Sequence, residues 1–270
     1  MNIIMEQKKI AILYDFDQTL SIKSMEEYGL FDYLEIEPQK LYDRVTVRAA
    51  ENQMDRVLAF MLELVVRAKE VDKPLTKDVL IASGANIEYF PGVESWFERI
   101  NKFGKEKGFE IEHYLVSSGI SEIVEGSKIA HEFKRLYACS FIFDENGNAV
   151  WPAKAINYTN KTQFIFRINK GVLDVVDDSI NKVMKREIRP IPHENIVYIG
   201  DGFTDVPCMK VVTSKGGTSI AVYGDDHRNS EILFKDKRVN AYCKADYTEG
   251  SELDKTIKNL IVDLQQKTTK

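Results

Sequence analysis

Two carboxylates one residue apart close an apolar run in "KKIAILYDFDQTLS", where Asp15 and Asp17 follow a stretch that reads as a buried strand. A second apolar run, in "ENIVYIGDGFTD", ends on Asp201 with Asp205 four residues later. A third, "HYLVSSG", ends on Ser117, Ser118 and Gly119. A carboxylate driven into the end of a buried strand is costly unless a cation or another segment compensates it. All the candidate donors are oxygens, with no histidine or cysteine among them, and hard oxygen donors select Mg²⁺. Such a cation bridges carboxylates and phosphate. Lys161, opening a helical pattern in "TNKTQF", adds positive charge. Ser117 and neighbouring backbone N–H groups suit phosphate oxygens. With phosphate so held, a carboxylate can serve as nucleophile on phosphorus.

Strand ends can share a crevice only if the strands lie side by side. The runs around "IAILYDF", "EIEHYLVSSG" and "ENIVYIGD" alternate with helical patterns, which predicts a Rossmann-like parallel sheet with helices on both faces, an α/β fold. Ligands of such sheets bind at the carboxyl ends of the strands. Weaker strands are expected at "TSIAVYG" and "RVNAYC". "SFIFDENGNAVW" predicts a hairpin turning at Asn146 and Gly147. A helix is expected over "FPGVESWFERINKF", a long one over 159–185, and an amphipathic one at "SELDKTIKNLIVDLQQ" capped by Ser251. Between residues 21 and 90 the pattern is helical without a clear strand. Met54, Val57, Leu58, Met61, Leu62 and Val65 mark one apolar face there.

Composition narrows the function classes. The 270 residues carry a net charge of −5, which argues against a nucleic-acid or anionic-membrane binder. Cys139, Cys208 and Cys243 are few, odd in number and unspaced, as in a reducing compartment. Cys208, Trp96 and Phe97 read as core. No signal-peptide pattern or run of about 18 apolar residues is present, so a cytoplasmic protein is expected.

The order of these motifs resembles the haloacid-dehalogenase-like (HAD) hydrolase superfamily, and within it the phosphoserine-phosphatase-like branch. Asp15-Phe16-Asp17-Gln18-Thr19 is similar to the family's first motif, "HYLVSSG" to its second, Lys161 to its third and "GDGFTD" to its fourth. The resemblance implies a Mg²⁺-dependent phosphatase of small-molecule phosphomonoesters. Asp15 would be nucleophile and metal ligand. Asp17 would be general acid and base, with its backbone carbonyl on the metal. Ser117, Ser118 and Lys161 would hold the phosphoryl group, and Asp201 and Asp205 would complete the metal site. It also implies a catalytic core of residues 1–20 and 91–270 and a helical cap of residues 21–90. Two departures stand out. Ser118 occupies a position where phosphoserine phosphatases usually carry glycine. The cap offers Glu26, Glu27, Arg44, Arg48 and Arg56 without an alignable substrate-reading pair, and Lys154 and Lys170 flank Lys161. A phosphotransferase or dehalogenase on the same scaffold, a receiver-like signalling domain and a non-catalytic binding protein are the alternatives. Asp17 and Asp201 speak against a dehalogenase, and the length and the 21–90 insert speak against a receiver.

Overall fold

The computed structural model describes residues 8–268. The chain opens with β1 (Lys8–Tyr14), continues through α1 (Leu30–Tyr33), α2 (Pro38–Asn52), α3 (Arg56–Glu70), α4 (Lys77–Gly84) and α5 (Val93–Glu106), and returns to the sheet as β2 (Phe109–Ile120). Then follow α6 (Ser121–Glu125), β3 (Arg135–Phe143), β4 (Ala149–Lys154), α7 (Thr162–Lys170), β5 (Ile196–Gly200), α8 (Val206–Ser214), β6 (Thr218–Tyr223), α9 (Arg228–Lys235), β7 (Ala241–Lys244) and α10 (Glu252–Thr268). The strands form one sheet in the order β4-β3-β2-β1-β5-β6-β7. Every pairing is parallel except β3 with β4. This is the expected Rossmann-like α/β architecture.

The topology follows from handedness. From β1 the chain runs outward through β2 and β3 on one side, then returns to lay β5, β6 and β7 on the other. Right-handed crossovers in opposite directions put the connecting helices on opposite faces. The reversal falls between β1 and β5, where such sheets leave a crevice beyond their carboxyl ends. β1 is covered on both faces, with Ile10, Ala11, Ile12, Leu13 and Tyr14 all fully buried. That explains its continuous apolar run in place of alternation.

Tyr14 carries a polar hydroxyl into this core, and a relay satisfies it. Trp96 Nε1 donates to the Tyr14 hydroxyl at 2.8 Å, and that hydroxyl lies 2.9 Å from His113 Nδ1. His113 Nε2 lies 3.0 Å from Asn101 Oδ1. Asn101 Oδ1 can only accept, so the proton of neutral His113 sits on Nε2.

Residues 21–90 hold the four short and medium helices α1–α4 and no strand longer than an isolated bridge. The β3–β4 hairpin forms, but through a five-residue loop. Asp144 Oδ1 accepts from the N–H groups of Asn146 and Asn148, and Asp144 N–H donates to the Asn148 carbonyl. Ser251 Oγ accepts from Asp254 N–H at the start of α10. Cys208, Trp96 and Phe97 are fully buried.

The helix expected over 159–185 is much shorter. Gly171, at φ 70°, terminates α7 in the left-handed conformation. Beyond it, side chains replace the helical ladder. The Arg167 guanidinium donates to the carbonyls of Asp174, Val175 and Asp177, and Lys170 Nζ to those of Ile180 and Lys182. Among the described residues, no helix is long and apolar enough to cross a membrane.

Candidate active site

The register places the motif residues side by side. Tyr14 pairs with Leu115 of β2 and Ile199 of β5. Asp15, Ser117 and Asp201 therefore lie within two residues of one level at the carboxyl ends of three adjacent strands. Asp15 N–H extends the ladder to the Ile199 carbonyl at 2.9 Å. A tight turn follows, with Gln18 at φ 55° and the Phe16 carbonyl accepting from the N–H groups of Thr19, Leu20 and Ser21.

Lys161 stands at the start of α7, 99% buried, and its ammonium spans two carboxylates. Nζ lies 3.0 Å from Asp15 Oδ2 and 2.8 Å from Asp205 Oδ1. The Tyr198 hydroxyl donates to the same Asp205 Oδ1 at 2.7 Å. Asp205 Oδ2 is buried and accepts nothing from the described residues. It packs against Gly200, where a Cβ would stand 2.4 Å from it, so only glycine lets Asp205 approach the end of β5 this closely.

One oxygen from each of Asp15, Asp201 and Asp205 lies within 4.8 Å of the other two. A single ammonium faces three carboxyl groups, and the electrostatics register the deficit. Burial raises the Asp201 carboxyl to about 8, helped by Asp15 and Asp205. Burial and then Asp205 raise Asp15 to about 6 against the pull of Lys161. This donor set fits a hard divalent cation: all-oxygen, surplus in negative charge, with an unpartnered buried carboxylate oxygen among it. Asp15, Asp201 and Asp205 would hold such an ion.

The carboxylate of Asp17 stands outside that trio. Its Oδ1 accepts the Met25 N–H at 2.8 Å. Its pKa is pushed well above the usual carboxylate range by burial, then by Glu26 and Asp15. Met25 also connects Asp17 to the second motif, because its thioether accepts Ile120 N–H at 3.1 Å. Ser117 is buried and its Oγ accepts Gly119 N–H at 3.0 Å. The carbonyl of Ser118 takes the Cys139 thiol.

The charged residues of the helical segment divide sharply. Arg44 and Arg48 both donate to Glu63, and Arg44 forks onto Glu70 with two bonds of 2.7 Å. Arg56 donates to Thr46 Oγ1. Glu27 closes a capping box with Ser24. Glu26 is buried and makes no ion pair among the described residues, and burial raises its carboxyl to about 7.

Sequence reasoning did not single out Tyr198, which looks like one more apolar residue of β5, or the turn at Asn157 that carries Lys161. Thr19 closes the first motif. It is fully buried, its carbonyl accepts from the Tyr247 hydroxyl, and its own Oγ1 has no partner among the described residues.

No family model matches the chain. An uncharacterised protein of Borreliella burgdorferi is 28% identical over 271 aligned residues, spanning 90% of this chain and 93% of its own. A HAD-family hydrolase from Salmonella enterica serovar Typhi superposes with a TM-score of 0.57 at 20% identity, covering 88% of this chain and 68% of that one. The fold is that of the HAD hydrolases. A phosphoserine phosphatase, solved as an analogue of its phospho-aspartyl intermediate, superposes with a TM-score of 0.55 at 20% identity, covering 94% of this chain and 99% of its own. The HAD-like framework thus extends over nearly the whole chain, helical segment included.

Proposed function

We infer that the protein is a Mg²⁺-dependent phosphatase that hydrolyses small-molecule phosphomonoesters, without nucleic-acid or membrane partners, through an aspartyl phosphate on Asp15. The observation that carries this reading is the placement of Lys161 between Asp15 and Asp205 beside a cation-deficient carboxylate cluster. The likeness to a phosphoserine phosphatase supports the reading at the level of fold.

The cation, when bound, would offset the charge of the carboxylates and polarise the phosphoryl group. The remaining work falls to the chain. Asp15 attacks phosphorus with a carboxylate oxygen as the bond from phosphorus to the ester oxygen breaks. Lys161 orients Asp15 and stabilises the charge on the equatorial oxygens, together with Ser117 and the N–H groups around Ser118. Asp17 has Oδ1 committed to Met25 N–H, which leaves Oδ2 to carry the proton. Its raised pKa keeps that proton available for the leaving oxygen. The ionised Asp17 then takes a proton from water, the resulting hydroxide adds to phosphorus, and the bond from phosphorus to Asp15 breaks. Inorganic phosphate leaves and both aspartates are restored.

Residues 21–90 act as a cap over this crevice and choose the substrate. Glu26, buried beside Asp17 and lacking a basic partner among the described residues, suits a substrate bearing an ammonium group near its phosphate, as phosphoserine does. Arg44 and Arg48 are engaged by Glu63 and Glu70, so Arg56 is left as the arginine best able to meet a substrate carboxylate. The reading places the protein in the cytoplasm. The test is phosphate release with and without Mg²⁺ from an aryl phosphate, phosphoserine, phosphocholine, nucleotides and sugar phosphates. Mg²⁺-dependent release is expected, with an ammonium-bearing ester preferred. Absence of Mg²⁺-dependent release from every ester would overturn the reading.

A further inference from the structure

Asp55, at the corner between α2 and α3, binds two parts of the molecule with its two oxygens. Oδ1 accepts from the N–H groups of Val57 and Leu58, at 2.9 and 3.1 Å, and so caps α3. Oδ2 accepts from Asn157 Nδ2 at 2.8 Å. Asn157 begins the turn that ends in Lys161, and nearly every other polar atom it has is spent building that turn. Its Oδ1 accepts from Thr159 N–H, Thr159 Oγ1 and Asn160 N–H. Its N–H donates to Asn160 Oδ1, and its carbonyl accepts Lys161 N–H at 3.0 Å. The amide Nδ2 is the group left over, and it goes to Asp55.

Elsewhere the helical segment is fastened to the sheet layer. A Cβ on Gly84 of α4 would stand 1.9 Å from the Ile123 carbonyl of α6, and one on Gly126 would stand 1.8 Å from the Ile81 carbonyl. Backbones this close leave α4 no room to swing. Ala149 N–H of β4 donates to the Leu75 carbonyl at 2.8 Å. Lifting the α2–α3 corner away from the Lys161 turn breaks the bond to Asn157.

We propose that Asp55 and Asn157 form a latch that couples the seating of the α2–α3 corner to the placement of Lys161. Both are positioning residues, and their effect on catalysis rests on the role of Lys161 under the function proposed above. With the corner seated, the charge-assisted bond holds the Asn157 amide plane, the turn and the buried ammonium in register. With it lifted, the amide loses its acceptor and the turn loosens. Lys161 is then held least firmly when the crevice is open for exchange of substrate and product.

A reciprocal swap tests this. Asn157→Asp keeps Oδ1 for the turn but sets a second carboxylate against Asp55. Asp55→Asn keeps an oxygen to cap α3 but sets one amide N–H₂ against another. The double variant Asp55→Asn with Asn157→Asp restores one donor facing one acceptor, with the direction reversed. Hydrogen exchange of the amides at 157–161 reads the latch without reference to activity. Each single variant is expected to exchange about 10-fold faster there than wild type, and the double variant to return to within about 3-fold of it. On an aryl phosphate with Mg²⁺, kcat should fall about 10-fold in the single variants with little change in KM, and recover in the swap. Single variants that exchange at the wild-type rate overturn the proposal, as do single-variant defects that the swap fails to repair. If the wild-type protein hydrolyses no phosphate ester, the function proposed above fails while the exchange arm still decides the latch.

Discussion

Basic side chains meet clustered carboxylates with opposite balance in the α2–α3 pair and at the strand ends. In the α2–α3 pair, Arg44, Arg48 and Arg67 meet Glu63 and Glu70, three cations against two anions, with a bidentate fork from Arg44 to Glu70. At the strand ends, one ammonium serves the cluster of Asp15, Asp201 and Asp205, and an oxygen of Asp205 is left without a partner among the described residues. The first arrangement is complete and holds two helices together. The second is incomplete in the manner of a binding site, because a buried negative surplus costs free energy until something positive arrives. Local charge balance, more than the presence of charged residues, separates scaffold from site here.

The sharpest way to break the comparison is to remove one carboxylate from each place. Asp15→Asn should abolish turnover, by on the order of 10⁴-fold or more, since no other group can take its place as nucleophile. Steady-state phosphate release measures it, and a variant that retains a tenth of the activity would remove Asp15 from that role. Glu63→Ala should act the other way, with activity per folded molecule kept and stability lost. It strands Arg48, 32% exposed, while Arg44 keeps its fork to Glu70, so a loss of about 2 kcal/mol is expected, less than for a fully buried pair. Urea unfolding with parallel kinetics tells the two kinds of loss apart.

The surplus at the strand ends also has a pH signature in metal-free protein. Burial raises Asp201 and Asp15 from the ordinary aspartate range, about 4, to about 8 and about 6 in the folded state. Between those limits the folded protein binds more protons than the unfolded chain. Stability contributed by these groups is therefore present at low pH and lost as pH rises through the folded pKa values. Chelated protein should be more stable at pH 5 than at pH 8, and Mg²⁺ should narrow the gap. At 100 times its Kd the ion would add about 2.7 kcal/mol at pH 8. Denaturant titrations at both pH values, with and without Mg²⁺, check this, and a gap that Mg²⁺ leaves untouched would count against the cation site.

Tyr198→Phe sharpens the comparison most finely. It removes one of the two donors on Asp205 Oδ1 and leaves the lysine bond in place. A stability loss of about 1 kcal/mol and a drop in kcat/KM of about 10-fold are expected. An unchanged kcat/KM would make the tyrosine a purely structural partner.

Which parts were readable in the sequence follows from how local each signal is. Continuous apolar runs ending in acids located β1 and β5, because a strand buried on both faces admits no alternation. The end of α7 had a local signal too, in Arg167, Lys170 and Gly171, but the apolar residues beyond it continued a helical period. The carbonyls of Asp174, Val175, Asp177, Ile180 and Lys182 accept from side chains, which no periodicity reports. Glu26, Arg44, Arg48 and Arg56 were equivalent in sequence. Their partners, up to 26 residues away in the chain, made two of them structural and left Glu26 without an ion pair among the described residues.

By itself, then, the sequence determined the α/β alternation, the strand ends and the residue types gathered there, since these depend on burial patterns and turn chemistry within a few residues. The tertiary structure decided the balance of charge: that Lys161 spans Asp15 and Asp205, that Tyr198 shares Asp205 with it, and that Asp55 reaches 102 residues along the chain to Asn157. Such pairings are set by strand order and helix packing, and a hydrogen bond of less than 3 Å has no counterpart in any local pattern of residues.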